Sequence, residues 1–420
     1  MTAVLELTGT DQLKDSQGGK HAPGFDLSTF FSYGFRPFFL SACLFAAFAM
    51  TAWLAWIGLH AAAGTVREMT IAMAPHQWHA HEMLFGYSLA VIAGFFLTAV
   101  PSWTGSKPVS GLSLIILFAV WCLGRLAMGF SAYLPPLLVA AADLAFVPML
   151  MSLVLRALLG RWSKRNFVFL PILTVLFAAN LLTHMEFMDW GPGDVEVGNR
   201  LALDGIILLI TILGGRVVPA FTTNALRRAG KEALPVSRKP LEILSIGSVA
   251  ALLVAEIIQP GGTIAGSIAI IATLANALRF MGWRGHKTLG APILWIIHLA
   301  YLWLIVGLAF KAAAHFDLIL EATAIHVLTV GAVGSMTLGV MTRAALGHTG
   351  RVLRVSGPVT AAYILISLSA AVRVIVPPLM PEFYNEGMVF AGISWVLAFV
   401  IVSAIYWPVL TRPRIRVGEE

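Results

Sequence analysis

The stretch HEMLFGYSLAVIAGFFLTAVP, His81 to Pro101, decides the fold. Its charge-free run from Met83 to Val100 rises about 27 Å as an α-helix, close to the roughly 30 Å of a bilayer's hydrocarbon core. The rest of the chain repeats the pattern. Of 420 residues 58% are hydrophobic and only 12% charged, with a mean hydropathy of +0.84; in ordinary soluble domains about a quarter of residues are charged. No polar stretch is long enough to form a soluble domain, so the composition specifies an all-α, polytopic membrane protein. Cys43 and Cys122 both lie inside apolar segments, which points to neither a disulfide framework nor a thiolate metal site.

Segments of about 20 apolar residues, the length a bilayer demands, recur at 37–59, 80–100, 112–130, 134–157, 167–184, 201–219, 241–258, 262–281, 291–310, 322–342, 358–375 and 387–410. These are twelve spans without a visible internal repeat. Residues 1–29 are polar, lack a cleavable signal pattern and read as a mobile tail. Residues 30–412 form the membrane domain and 413–420 a C-terminal tail. An even number of spans puts both termini on one side, and the positive charges choose which. Of the 28 Lys and Arg residues, all but Arg67, Arg125, Arg200, Lys311 and Arg373 fall at the termini or in the even-numbered loops. Positive residues collect on the cytoplasmic side, so the twelve-helix transmembrane bundle is expected to keep both termini in the cytoplasm. The basic balance thus reports topology and a lipid bilayer rather than a nucleic acid.

Orientation sorts the histidines. His76, His79 and His81 come at the outer end of span 2, His184 at the outer end of span 5, and His326 about one turn inside the outer end of span 10. His298 reads as near mid-depth in span 9. His60 and His315 read as solvated neighbours of the outer surface, and only His21, His286 and His348 lie on the inner side. Ionisable groups in lipid are costly and tend to face a functional interior. Neutral imidazole is the commonest metal ligand, and bundles build metal sites from facing helices.

The stretch PHQWHAHEM, Pro75 to Met83, adds a geometric constraint. At 100° per residue His76 and His79 lie about 60° apart, but His79 and His81 about 160° apart. One regular helix cannot turn all three to one site. Either His76 precedes the helix and bends in, or His79 and His81 serve different sites. Glu82 and Met83 follow His79 by three and four positions and share its face. Glu82 is therefore a candidate partner for an imidazole, a proton carrier, or a plain hydrogen-bonding link to a neighbouring helix. Asp143, midway along span 4, is expensive to bury alone and joins Glu256 and Asp204 as a proton-route candidate. Arg36 and Arg216 read as arginines that reach lipid phosphates.

Several segments together resemble the NnrS family: FSYGFRPFFLSACLFAA, HQWHAHEMLFGYSLAVIAGFFLTAVPSWTG, NLLTHMEF, GGRVVPAFTTNALR and HVLTVGAVGSMTLGVMTRAALGHTGR. The likeness runs from about residue 30 to residue 410. It implies a bacterial inner-membrane (plasma-membrane) protein of the nitric oxide response that binds haem and copper. A second likeness is to the catalytic subunit of haem-copper oxidases. His79, Met83, Phe85, Gly94, Phe95, Phe96, Val100 and Pro101 match the pattern of its second helix with a one-residue slip, and His326 matches a haem ligand on its tenth. This implies a haem, b-type and non-covalent, held axially by His79 and His326, with Met83, Trp78 and Arg67 around it. The oxidase active site does not carry over. Ala324 stands where a second helix-10 histidine would be, and spans 6 and 7 contain no histidine. Copper would then take its ligands from His76, His81, His184 and His298, with Glu82, Asp143 and Glu256 on a proton route.

Three functions follow from these features. The first is a haem- and copper-binding protein that handles nitric oxide or metal-nitrosyl species and protects against nitrosative stress. The second is an oxidoreductase that reduces nitric oxide with electrons from quinol. The third is a proton-coupled transporter, a class in which twelve spans and buried carboxylates are common. No CxxCH attachment motif or nucleotide fingerprint is present, so electrons would come from quinol or a partner protein.

Overall fold

The computed structural model describes residues 26–63, 69–160, 164–259 and 261–415. Among these residues every regular element is a helix. Twelve helical spans are long and apolar enough to cross a membrane: Phe35–Ala62, Pro75–Thr104, Leu112–Gly129, Pro136–Leu159, Phe169–Phe187, Val195–Arg228, Lys239–Ile258, Thr263–Met281, Pro292–His315, Glu321–His348, Gly357–Leu379 and Pro381–Thr411. The chain is a multi-pass, all-α membrane protein. Each expected span overlaps one of these helices, and span 6 differs most. Its polar ends, with Asn199, Arg200, Arg227 and Arg228, fall outside a hydropathy window yet continue the helix. Asp194 caps its start, Oδ1 accepting from Val197 N at 2.8 Å, which supplies a partner for one of the orphan donors at a helix N-terminus.

The expected polar tail falls mostly outside the described residues, and its last positions are not tail. Asp26 caps a short helix, Leu27–Phe30, by accepting from the backbone N–H of Ser28 and Thr29. Hydrogen bonds from the Thr29 and Ser28 hydroxyls hold its carboxyl below the usual range.

Short connections make consecutive spans antiparallel. Span 12 packs on span 11 and returns to span 1, so the first and last helices are neighbours. Arg36 closes this seam. Its Nη1 donates to the carbonyls of Leu410 at 2.9 Å and Arg412 at 2.7 Å, and the residue is only 3% exposed. It therefore caps the C-terminus of span 12, where carbonyls lack partners and a cation is favoured, rather than facing lipid phosphates.

Spans 2, 6 and 10 form the centre. Of their apolar windows 83%, 72% and 72% are buried, and no other span exceeds 61%. Two of the three are interrupted by π-helix, at Glu82–Ser88 in span 2 and Val327–Gly334 in span 10. Each interruption begins directly after a histidine, His81 and His326. Such wide turns are rare and concentrate at functional sites. Gly86, inside the first one, lets Phe45 and Arg125 approach closely: a Cβ there would sit 2.6 Å from Cε1 of Phe45 and 2.8 Å from Nη1 of Arg125.

Candidate functional site

Span 2 begins at Pro75, a favoured first helical residue, and stays α-helical through His81. Over that stretch the 100° rule holds, and His79 and His81 face different surroundings. His81 turns toward spans 3, 4 and 5. Its Nδ1 lies 2.9 Å from Oε1 of Glu82, and its Nε2 lies 3.0 Å from Oδ1 of Asn180 and 3.2 Å from Oδ2 of Asp143. Nε2 of His184 lies 2.9 Å from the same Asp143 oxygen, to which Asn180 Nδ2 donates at 2.8 Å. Asn180 and His184 are four residues apart on span 5 and share a face. Arg125 on span 3 binds both carboxylates, Nη1 donating to Glu82 Oε1 at 2.6 Å and Nη2 to Asp143 Oδ1. Gly124 beside it lets spans 3 and 4 approach closely, since a Cβ there would meet Cα of Asp143 at 3.1 Å.

The imidazoles, the carboxylates and Asn180 are buried. His81, Glu82 and His184 are fully buried, Asn180 is 1% and Asp143 3% exposed. With neutral imidazoles its formal charge is minus one, two carboxylates against one guanidinium, and a buried uncompensated charge is strongly unfavourable. Both nitrogens of His81 face oxygen atoms, so a neutral ring leaves one acceptor facing an acceptor. Nδ1 of His184 and Oε2 of Glu82 have no hydrogen-bond partner. A cation resolves these mismatches. One ligand atom each from His81, Asp143 and His184 lie within 4.8 Å of one another, and among the described residues no other group of His, Cys, Asp and Glu meets that criterion.

His79 turns the other way. Its ring stacks on Trp53 of span 1, with centroids 5.0 Å apart and planes at 17°. It lies within electrostatic reach of His326 on span 10 and Arg373 on span 11, and its Nδ1 is buried without a partner. Nδ1 of His326 is 2.6 Å from the carbonyl of Ala322. That carbonyl only accepts, so Nδ1 carries the proton and Nε2 of the neutral ring keeps its lone pair, the tautomer of a metal-ligating histidine.

The remaining sequence candidates separate. Glu82 does not share the face of His79 as regular helix geometry requires; the π segment starts at Glu82 and leaves it beside His81 and Arg125. Trp78 is buried against Met73, Met128 and Val139 rather than facing span 10. Met83 packs half-buried on the main core, His76 is exposed, and Arg67 lies outside the described residues. His298 is not at mid-depth with the others. It stands near the start of span 9, in the opposite half of the bundle, with Nε2 2.8 Å from Oγ1 of Thr222. His315 is not a solvated surface residue, because its Nε2 approaches Oε1 of Glu256 to 2.7 Å. Asp143 thus belongs to the His81 group, and Glu256 and Asp204 to a second one. Asn180 had no sequence-level signal beyond its four-residue spacing from His184 inside an apolar span.

A narrow apolar cleft runs between the three central spans, lined by residues such as Val91, Phe95, Ile210, Leu213 and Met336. Its polar edges are the hydroxyls of Ser88 and Thr337, which bond to Met83 O and to the carbonyls of Val333 and Gly334.

No curated protein matches this chain. The family described as NnrS protein matches residues 29–414, a stretch that includes all twelve spans and every residue of both histidine sites. The chain belongs to the NnrS family.

Proposed function

We propose that this chain is a haem- and copper-binding protein of the bacterial inner membrane that handles nitric oxide or the metal-nitrosyl species it forms. The observation that carries the reading is the buried His81, Asp143 and His184 group, with its convergent ligand atoms and its excess negative charge. Two imidazole nitrogens and one carboxylate oxygen are a donor set compatible with copper. His79 and His326, on two central spans, would hold a b-type haem between them. The free lone pair of His326 and the unpartnered His79 nitrogen support this. Arg373, which acts electrostatically on His79, would be the arginine to pair with a propionate there, the part expected of Arg67.

Bound at these positions, a haem with two histidine ligands would supply one-electron exchange, and copper would supply reversible binding of a diatomic ligand. The chain's own residues do the rest. Glu82 fixes the His81 ring through Nδ1, and such a partner sets both tautomer and orientation. Arg125 holds Glu82 and Asp143 together, and burial excludes water. The apolar cleft between the central spans gives an uncharged molecule such as nitric oxide a passage that ions are denied. With both termini cytoplasmic, both sites would lie toward the outer face, and electrons would arrive from quinol or a partner protein.

Protein purified from cells supplied with haem and copper is expected to be coloured and to carry both metals. His81→Ala or His184→Ala should lose copper and keep the haem spectrum; His79→Ala or His326→Ala should do the reverse. Colourless, metal-free protein would overturn the reading. Quinol-dependent consumption of nitric oxide by the pure protein separates a reductase from a binding role.

A further inference from the structure

A second buried ionic group lies in spans 6, 7 and 9, none of which contributes to the His81 group. Lys311 Nζ donates to Oδ1 of Asp204 at 2.6 Å and approaches Oε1 of Glu256 to 3.2 Å. His315 Nε2 approaches the same Glu256 oxygen to 2.7 Å. Asp204 and Glu256 are each 4% exposed, and Oδ2 of Asp204, both Glu256 oxygens and Nε2 of His315 are buried without a partner in hydrogen-bond geometry. Lys311 and His315 are four residues apart on one face of span 9. His315 ends that helix, and the exposed residues Phe316, Asp317 and Leu318 follow it. No other ionisable group among the described residues acts on Asp204 than Lys311, Glu256 and His315. Arg200, also on span 6, pairs with Glu196 and Glu321 instead.

With His315 neutral the quartet carries one net negative charge inside the bundle. A purely structural ion pair would need one carboxylate for one lysine, and burying a second is costly. Ionisable residues at such depth mark ion and proton pathways. The order of the groups is that of a relay, from the rim histidine through Glu256 and Lys311 to the unpartnered oxygen-bearing Asp204.

We propose that Asp204, Glu256, Lys311 and His315 form a proton-uptake site that takes one proton from the aqueous face beside His315 and holds it on a buried carboxylate. A hydronium ion protonates His315, leaving water. The imidazolium passes its Nε2 proton to Glu256, giving neutral His315 and a carboxylic acid. That acid gives its proton to Lys311 as the ammonium releases one of its own to Asp204, so Lys311 stays charged. The quartet goes from minus one to neutral, and no electron moves.

The test uses the full chain in detergent micelles and needs neither haem nor copper. Dicyclohexylcarbodiimide couples to protonated carboxyl groups in apolar surroundings. In the wild type it should label Asp204 or Glu256, found by peptide mass, with labelling falling as pH rises. Infrared difference spectra should show the band of a protonated carboxylic acid, shifted or lost in Asp204→Asn and Glu256→Gln. After a pH jump, His315→Gln should slow the appearance of that band by about a hundredfold with little change in its final size. No label on either residue and no protonated-acid band at any pH would overturn the proposal. So would a His315→Gln variant with wild-type kinetics. The labelling experiment needs no substitution, so a variant that fails to fold does not shield the idea.

Discussion

Replacing Arg125 with methionine removes the guanidinium that touches both Glu82 and Asp143. The guanidinium is 8% exposed on its side chain and the two carboxylates 1% and 2%, so water cannot take its place. The formal charge of the buried group then falls from minus one to minus two. Breaking a buried ion pair by deleting one partner costs about 3–5 kcal/mol, or two to four orders of magnitude in the folded-to-unfolded ratio at about 1.4 kcal/mol per decade. The assay follows from the chain's cysteines. Cys43 is unpaired and 4% exposed, so a thiol-reactive maleimide reads its exposure as the protein is titrated with denaturing detergent. The decisive comparison is with Arg125→Met combined with Asp143→Asn, which returns the charge to minus one. The double variant should recover at least about 1 kcal/mol relative to the sum of the two single changes, since groups in one network couple by about 0.5–3 kcal/mol. Additive losses, or an Arg125→Met protein as stable as the wild type within about 0.5 kcal/mol, would refute the charge argument.

Arg36→Met should destabilise by about 1.5–3 kcal/mol per lost charged hydrogen bond in the same detergent titration, with Arg36→Lys recovering only part because the lysine stem does not carry its ammonium to the position of Nη1. Gly86→Ala should cost about 1–3 kcal/mol through crowding of Phe45 and Arg125, and its bound copper, read by metal analysis, should fall with it. His298→Gln should leave both the haem spectrum and the copper content at wild-type levels, because His298 lies in the other half of the bundle; loss of either would move it into a metal site. Lys311→Met should shift and strengthen the protonated-acid infrared band, because carboxylates without their buried cation favour the neutral form, while leaving metal content unchanged.

The twelve spans were legible because lipid imposes the strictest of all sequence rules: a run such as Met83–Val100 has no other economical home. The divergence of His79 and His81 was legible too, since both precede the π segment and obey the 3.6-residue period. The face that Glu82 presents was not legible, for the complementary reason. Its i, i+3 relation to His79 is a statement about an α-helix, and the helix changes type at that residue. Burial partners on other helices were out of reach altogether. Nothing in the sequence pairs His315 with Glu256 or Arg36 with the carbonyl of Leu410, because those contacts depend on which spans become neighbours. His298 illustrates a subtler limit: its span was read correctly, but its depth depends on where the helix starts, and Pro292 puts it only about 9 Å along the axis.

The two buried ionic groups carry the same formal charge and yet suit different cations, and the reason is what stands at their centres. In the His81 group the guanidinium lies to one side. It takes Oδ1 of Asp143 and Oε1 of Glu82 and leaves Oδ2 of Asp143 to face two imidazoles. The remaining contacts converge on a space bounded by lone-pair donors, which a metal ion can share. In the quartet the ammonium of Lys311 stands between the carboxylates, at the point a metal would need, and Coulomb repulsion keeps a second cation from it. The missing charge there can enter only as a proton on an existing oxygen or nitrogen. A geometry with the cation at the rim selects for metal; one with the cation at the centre selects for the proton. On the two proposals above, spans 2–5 and spans 6, 7 and 9 would divide the chemistry of one bundle between them.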